Sequence, residues 1–132
     1  MGVNKAKGEE KMKVIVVDDS LVMRKIIVNV VESLGHEGVH ATNGQNLLEI
    51  LEHCGDEVGL VLLDWNMPGI NGIEALKTMQ KNSRLRAVPV FMVSTESEDV
   101  KVEEALAAGA KGYLSKPFTP EELATKIKDI LG

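Results

Sequence analysis

Cysteine is nearly missing from this 132-residue chain: Cys54 is its single one. An intramolecular disulfide is therefore excluded, and a reducing cytoplasm is the simplest setting. Aromatic residues make up 3%, so the core must be aliphatic. A basic surface is lacking too. The formal net charge is −5, which argues against a nucleic-acid partner and suits solubility. No apolar run approaches the roughly 20 residues that cross a bilayer, so no membrane partner is expected. Residues 1–11 carry glycine and charge but no apolar segment. They read as a flexible tail, not a signal peptide, ahead of a domain over 12–132. The glycine loops of P-loop and dinucleotide-binding folds are absent. So is any cysteine–histidine cluster suited to zinc; His36, His40 and His53 are expected to be ordinary surface residues.

What is present is enough apolar material for one core, 44% of the residues. Val14–Val17, Leu60–Leu63 and Val90–Val93 are short apolar runs, each stopped by polar residues. Such runs suit strands buried on both faces of a parallel sheet. Val39–Ala41 and Gly112–Leu114 are weaker strand candidates. Helix-length segments lie between them. Residues 20–34 place Met23, Ile26, Ile27, Val30, Val31 and Leu34 on one helical stripe, with Gly35 as a stop. Residues 45–53 follow a plausible cap at Asn43, and 72–81 carry Ile73, Leu76 and Met79. Residues 98–108 form a charged, alanine-rich segment ending at Gly109. Residues 119–131 open with Thr119-Pro120-Glu121-Glu122, a capping box with proline at the first helical position. Strand and helix alternate five times, which predicts an α/β fold with a parallel sheet covered on both faces and right-handed crossovers.

In an open parallel sheet, ligands bind beyond the carboxyl ends of the strands. The residues that end these strands are Asp18, Asp19, Asp64, Ser94 and, after the last one, Lys116. Two carboxylates about 4 Å apart repel by roughly 4 kcal/mol at an effective dielectric near 20, so three together call for a cation. Mg²⁺ fits, since it takes a few carboxylates and keeps waters for the rest. Each residue also has a plainer explanation. Asp18-Asp19 could cap the first helix, and Asp64 could start the turn that runs into Pro68-Gly69. Ser94 could cap the fourth helix, and Lys116 could be a surface lysine. All four plain explanations would have to hold together.

The motifs Val17-Asp18-Asp19-Ser20 with Met23-Arg24, Asp64-Trp65-Asn66-Met67-Pro68-Gly69, Met92-Val93-Ser94, Gly109-Ala110-Lys111-Gly112-Tyr113 and Lys116-Pro117-Phe118 resemble those of receiver domains in two-component signalling. The resemblance covers about residues 12–131 and is closest to the family's single-domain chemotaxis members. It implies a doubly wound, flavodoxin-like (βα)5 sandwich with strand order 2-1-3-4-5. It also implies a response regulator phosphorylated on Asp64, which catalyses only its own phosphorylation and dephosphorylation. Asp18, Asp19, Asp64 and the backbone carbonyl of Asn66 would hold Mg²⁺. Lys116 would pair with the acids and the phosphoryl oxygens, Ser94 would be the switch hydroxyl, and Tyr113 the aromatic that moves with it. Asn66, Thr95 and Glu96 would modulate the site, and the Lys116–Pro117 bond would be cis. A histidine kinase of the chemotaxis (CheA-like) type would be the donor, with a flagellar motor switch protein or a phosphatase as further partners of a monomer.

Three departures from the chemotaxis pattern stand out. Ser94 replaces the more usual threonine, Thr95 is larger than the usual residue, and Glu98-Asp99 are acidic where those members are basic. Two other functions share this architecture. An FMN carrier would need a Ser/Thr/Gly phosphate loop where Asp18-Asp19 stand. A phosphatase of the haloacid dehalogenase type would need two aspartates separated by one residue and a cap domain. A relay or phosphate-sink role outside chemotaxis remains open beside the motility reading.

Overall fold

Strand and helix alternate in the computed structural model, which describes residues 11–132. The order is β1 (Lys13–Val17), α1 (Leu21–Ser33), β2 (Glu37–Ala41), α2 (Gly44–Cys54), a 3-10 turn (Gly55–Glu57), β3 (Val58–Leu63), α3 (Gly72–Gln80), β4 (Val90–Ser94), α4 (Asp99–Ala107), β5 (Gly112–Ser115) and α5 (Pro120–Leu131). The strands form one parallel sheet in the order β2-β1-β3-β4-β5, as the resemblance implies. The expected tail lies, but for Lys11, outside the described residues. No described helix is long and apolar enough to cross a membrane.

The side-chain alternation of a strand explains the two layers of core. Ile15 and Val17, Val61 and Leu63, and Val90 and Met92 point to the face covered by α2, α3 and Ala105 of α4. Val14 and Val16, Leu60 and Leu62, and Phe91 and Val93 point to the face covered by α1 and α5, through Ile27, Val31, Leu123 and Ile127. Both sides are dry, so the runs are continuously apolar. Each fully buried leucine or isoleucine contributes about 1.5–3 kcal/mol.

Helix starts follow from local chemistry. Ser20 Oγ accepts from the Met23 N–H at 3.2 Å and Asn43 Oδ1 from the Asn46 N–H at 2.8 Å. Thr119 and Glu122 close the expected capping box, and Asn71 with Glu74 closes one that the sequence reading passed over. Since Ser20 caps α1, Asp18 and Asp19 are free of that duty. Ser94 does not cap α4 either, whose N-cap is Glu98 without a side-chain bond.

Three expectations are corrected. Ile26, placed on the apolar stripe of α1, is 42% exposed, and Arg24 is buried in the stripe instead. His36 is not a surface residue but 7% exposed. The chain leaves α1 through Gly35, in the left-handed region at φ 89°. That turn tucks His36 beneath the start of β1, where its Nδ1 accepts the Met12 N–H at 3.1 Å. β3 also begins two residues earlier than expected, because Val58 continues the apolar run and the Met12 side chain packs over Gly59.

The first residue of α3 holds the end of β3 in place. The Gly72 N–H donates to the Trp65 carbonyl at 2.9 Å, and a Cβ at Gly72 would collide with the Asp64 carbonyl. Gly72→Ala should therefore destabilise the protein by about 2 kcal/mol, a typical overpacking cost. Urea denaturation monitored by far-ultraviolet circular dichroism should show the midpoint falling.

Candidate functional site

β1 and β3 are neighbours with Val17 opposite Leu63, so Asp18 and Asp64 leave the sheet at the same level. Main-chain bonds fix both. The Asp64 N–H donates to the Val17 carbonyl at 3.0 Å, and the Asp18 N–H donates to the Ala41 carbonyl at 3.2 Å. Asp18 and Asp64 are 2% and 7% exposed, while Asp19 is open to solvent. One carboxylate oxygen from each of the three lies within 4.8 Å of the others. Lys116, just past β5, reaches over the end of β4. Its Nζ lies 2.7 Å from Asp18 Oδ2 and 3.4 Å from Asp64 Oδ2. Asp18 Oδ1 accepts the Ser20 N–H at 2.9 Å. The Lys116–Pro117 peptide is cis.

Ser94 is fully buried as the last residue of β4, and its Oγ accepts the Glu96 N–H at 3.2 Å. Met92 stands opposite Tyr113 across the β4–β5 pair. The Tyr113 hydroxyl is buried without a hydrogen-bond partner among the described residues. Burial pushes its pKa up, nearby Ser94 works the other way, and the charges of Glu96 and Asp64 add to the rise. Over the mouth of the site the Asn66 side-chain N–H donates to Glu96 Oε2 at 2.9 Å. Thr95 is exposed beside that strut. Trp65 is 4% exposed, and the Lys101 ammonium lies 4.8 Å from its ring centroid, a favourable cation–π distance.

The sequence-derived residues Asp18, Asp19, Asp64 and Lys116 thus converge, with Ser94 and Tyr113 behind them and Asn66, Thr95 and Glu96 along the rim. Two participants were passed over. Arg24 donates through Nη1 to the Asp18 main-chain carbonyl at 2.6 Å, and through Nε to His40 Nδ1 at 3.2 Å. A charge at position 24, in step with Ile27, Val28 and Val31 on the buried stripe, was the available signal.

The electrostatics favour a cation. Three carboxylates against one contacting ammonium leave two negative charges, and every donor is a hard oxygen. That set suits a divalent ion of the Mg²⁺ class, not a softer metal. Burial pushes the Asp64 carboxyl above the ordinary carboxylate range. Lys116 pulls it down, and the Asp18 charge pushes it further up.

Comparison with known proteins agrees with this geometry. The family described as "Response regulator receiver domain" matches residues 14–128. A chemotaxis protein CheY homolog of Campylobacter jejuni is 41% identical over 122 residues, covering 92% of this chain and 93% of that protein. Chemotaxis protein CheY1 of Helicobacter pylori is likewise 41% identical, covering 92% of this chain and 98% of that protein. Among solved structures, the chemotaxis response regulator CheY4 of Vibrio cholerae superimposes with a TM-score of 0.85 at 31% identity, covering 92% of this chain and all of that one.

A stability measurement tests the Asp64 electrostatics. A carboxyl whose folded pKa lies above its unfolded value favours folding in its protonated form. The ionised group is therefore a cost at neutral pH, and the cost disappears as pH falls through the raised value and below the unfolded one. In metal-free buffer Asp64→Asn should raise the melting temperature by about 3 °C at pH 7. The gain should shrink toward zero on acidification, as followed by calorimetry.

Proposed function

The chain belongs to the response regulator receiver family, and on that premise we propose that it carries a chemotaxis-type signal as a phosphoryl group on Asp64, donated by a histidine kinase. It is a CheY-like phosphoacceptor switch. One observation carries the residue assignment: Asp64 is buried at the end of a central strand, beside a second acid, with the Lys116 ammonium bridging the two.

Asp18, Asp19 and Asp64, with the backbone carbonyl of Asn66, would hold Mg²⁺. When bound, the ion supplies positive charge for the phosphoryl oxygens. The chain's own residues do the rest. An Asp64 carboxylate oxygen forms a bond to phosphorus as the P–N bond of the donor's phosphohistidine breaks. The imidazole leaves with the electron pair and takes a proton from solvent. Asp64 is already fixed by its main-chain bond to Val17, so little orientation is lost at the moment of attack. Lys116, within 3.4 Å of Asp64 Oδ2, would neutralise charge on the transferred oxygens. Dephosphorylation is a separate step: water approaching past the rim of Asn66, Glu96 and Thr95 attacks phosphorus, the bond from phosphorus to the Asp64 oxygen breaks, and inorganic phosphate leaves with the carboxylate restored. This self-directed chemistry is the extent of its catalysis.

The product brings up to about two negative charges. The Ser94 hydroxyl, already close enough to pull the Asp64 pKa down, would turn toward them, and a move of Ser94 would free space beside Tyr113. α4 is the element best able to respond. Ala105 is its buried residue, Val100 is 75% exposed, and its N-terminus lacks a side-chain cap. The output face is therefore α4, β5 and α5. Partners on it would be a flagellar motor switch protein or a phosphatase, in the cytoplasm, with the switch acting as a monomer. Glu98 and Asp99, both exposed at the start of α4, support a second reading. An acidic start to the output helix suits a partner less acidic than a motor peptide, as in a relay or phosphate sink outside chemotaxis.

Two experiments decide the matter. Acetyl phosphate with Mg²⁺ should add one phosphoryl group by intact mass. Asp64→Asn or chelation should abolish the labelling, and acid-stable phosphate on the Asp64→Asn protein would refute the assignment. For the output face, beryllofluoride should shift amide resonances around Val102 and Tyr113. Shifts confined to α1 and α2 would move the output surface elsewhere.

A further inference from the structure

Arg24 is 8% exposed on the buried stripe of α1. A position in that stripe ordinarily takes an aliphatic residue, and a buried guanidinium is tolerated only when its donors are used. No carboxylate lies within salt-bridge distance of it among the described residues. Its two bonds go instead to the Asp18 carbonyl, at 2.6 Å, and to His40 Nδ1, at 3.2 Å. The same Asp18 donates its N–H to the carbonyl of Ala41, the residue after His40. A closed ring results: Asp18, Ala41, His40, Arg24 and back to Asp18.

We infer that His40 and Arg24 are positioning residues that orient the acidic pair toward its cation. The carbonyl held by Arg24 belongs to the peptide plane joining Asp18 to Asp19. That plane is rigid, so clamping it sets the backbone direction from which both carboxylates depart. His40 is needed because the guanidinium can rotate about its stem. Holding Nε from one side leaves Nη1 aimed at the carbonyl. Acceptance at Nδ1 keeps the imidazole proton on Nε2. The inference rests on the proposed metal role of Asp18 and Asp19, and it concerns a residue outside the acidic cluster. His40 is exposed on the edge strand β2, so its replacement leaves the core intact.

The test compares His40→Leu, which removes the acceptor, with His40→Gln, which keeps one, in the full chain. In the metal-free protein, His40→Leu should broaden or shift the Arg24 Nε–H resonance and speed hydrogen exchange at the Asp18 amide. His40→Gln should preserve both. Titration with Mg²⁺, read by Trp65 fluorescence, should show affinity falling about tenfold in His40→Leu, the lower end of what outer-shell metal partners contribute, with most of it restored in His40→Gln. The inference is overturned if His40→Leu keeps wild-type affinity with the Asp18 amide unchanged, or if His40→Gln is as impaired as His40→Leu. A wild-type protein that gives no Mg²⁺ response would strike down the metal reading of Asp18 and Asp19. The exchange rate at Asp18 would then judge the ring by itself, and unchanged exchange in His40→Leu would refute it.

Discussion

A lysine from one edge of the sheet reaches two aspartates at its centre, and the rest of the site depends on that reach. Lys116 follows β5, and its ammonium lies 2.7 Å from Asp18 and 3.4 Å from Asp64. Two carboxylates brought together at the ends of adjacent strands would repel by several kcal/mol in so sheltered a place. The flexible stem of lysine lets a compact charge cross the end of β4 and offset part of this. The compensation is incomplete, and the incompleteness is useful. The remaining negative charge suits a cation, and the buried Asp64 carboxyl stays above its ordinary pKa despite the lysine. In the proposed reaction, an arriving phosphoryl group would draw Lys116 toward itself, and a bound cation would compensate Asp18 in its place.

Around this centre the molecule divides into stiff and yielding parts. β1 and β3 are dry on both faces, and main-chain bonds lock their ends to each other and to β2. That side holds Asp18 and Asp64 still. On the other side β5 is only half-buried and α4 is lightly held. Among the described residues the Tyr113 hydroxyl is buried there without a partner, a state that typically costs about 1–3 kcal/mol. A conformer that exposes this hydroxyl regains that energy, and under the proposed switch a small pull at Ser94 would tip the balance between two packings.

The rim adds contacts that tie the reacting loop to the yielding side. Asn66 from the β3–α3 loop bonds Glu96 from the β4–α4 loop, and Lys101 of α4 lies over Trp65, the neighbour of Asp64. Any movement of α4 is therefore felt within one residue of Asp64. By linkage, a partner that binds one arrangement of α4 would in turn alter the phosphoryl chemistry proposed for Asp64.

Much of this was legible in the sequence, and the reason is local. Continuous apolar runs ending in Asp18, Asp64 and Ser94 specify doubly covered parallel strands. Thr119-Pro120-Glu121-Glu122 specifies a helix start, and the spacing of the acids with Lys116 specifies what meets at the sheet edge. These signals depend on neighbours in the chain. What depended on distant neighbours was not legible. His36 looked like a surface residue because its partner, the Met12 N–H, is 24 positions away. Ile26 matched the apolar stripe yet faces water, and Arg24 sits buried where a hydrocarbon was expected. A stripe pattern records hydrophobicity along one helix and cannot record which carbonyl on the next element needs a donor. By itself the sequence determined the alternating architecture and the chemistry gathered at its edge. Only the tertiary structure decided how that chemistry is held, because the ring through Arg24 and His40 and the span of Lys116 exist only when separate strands stand side by side.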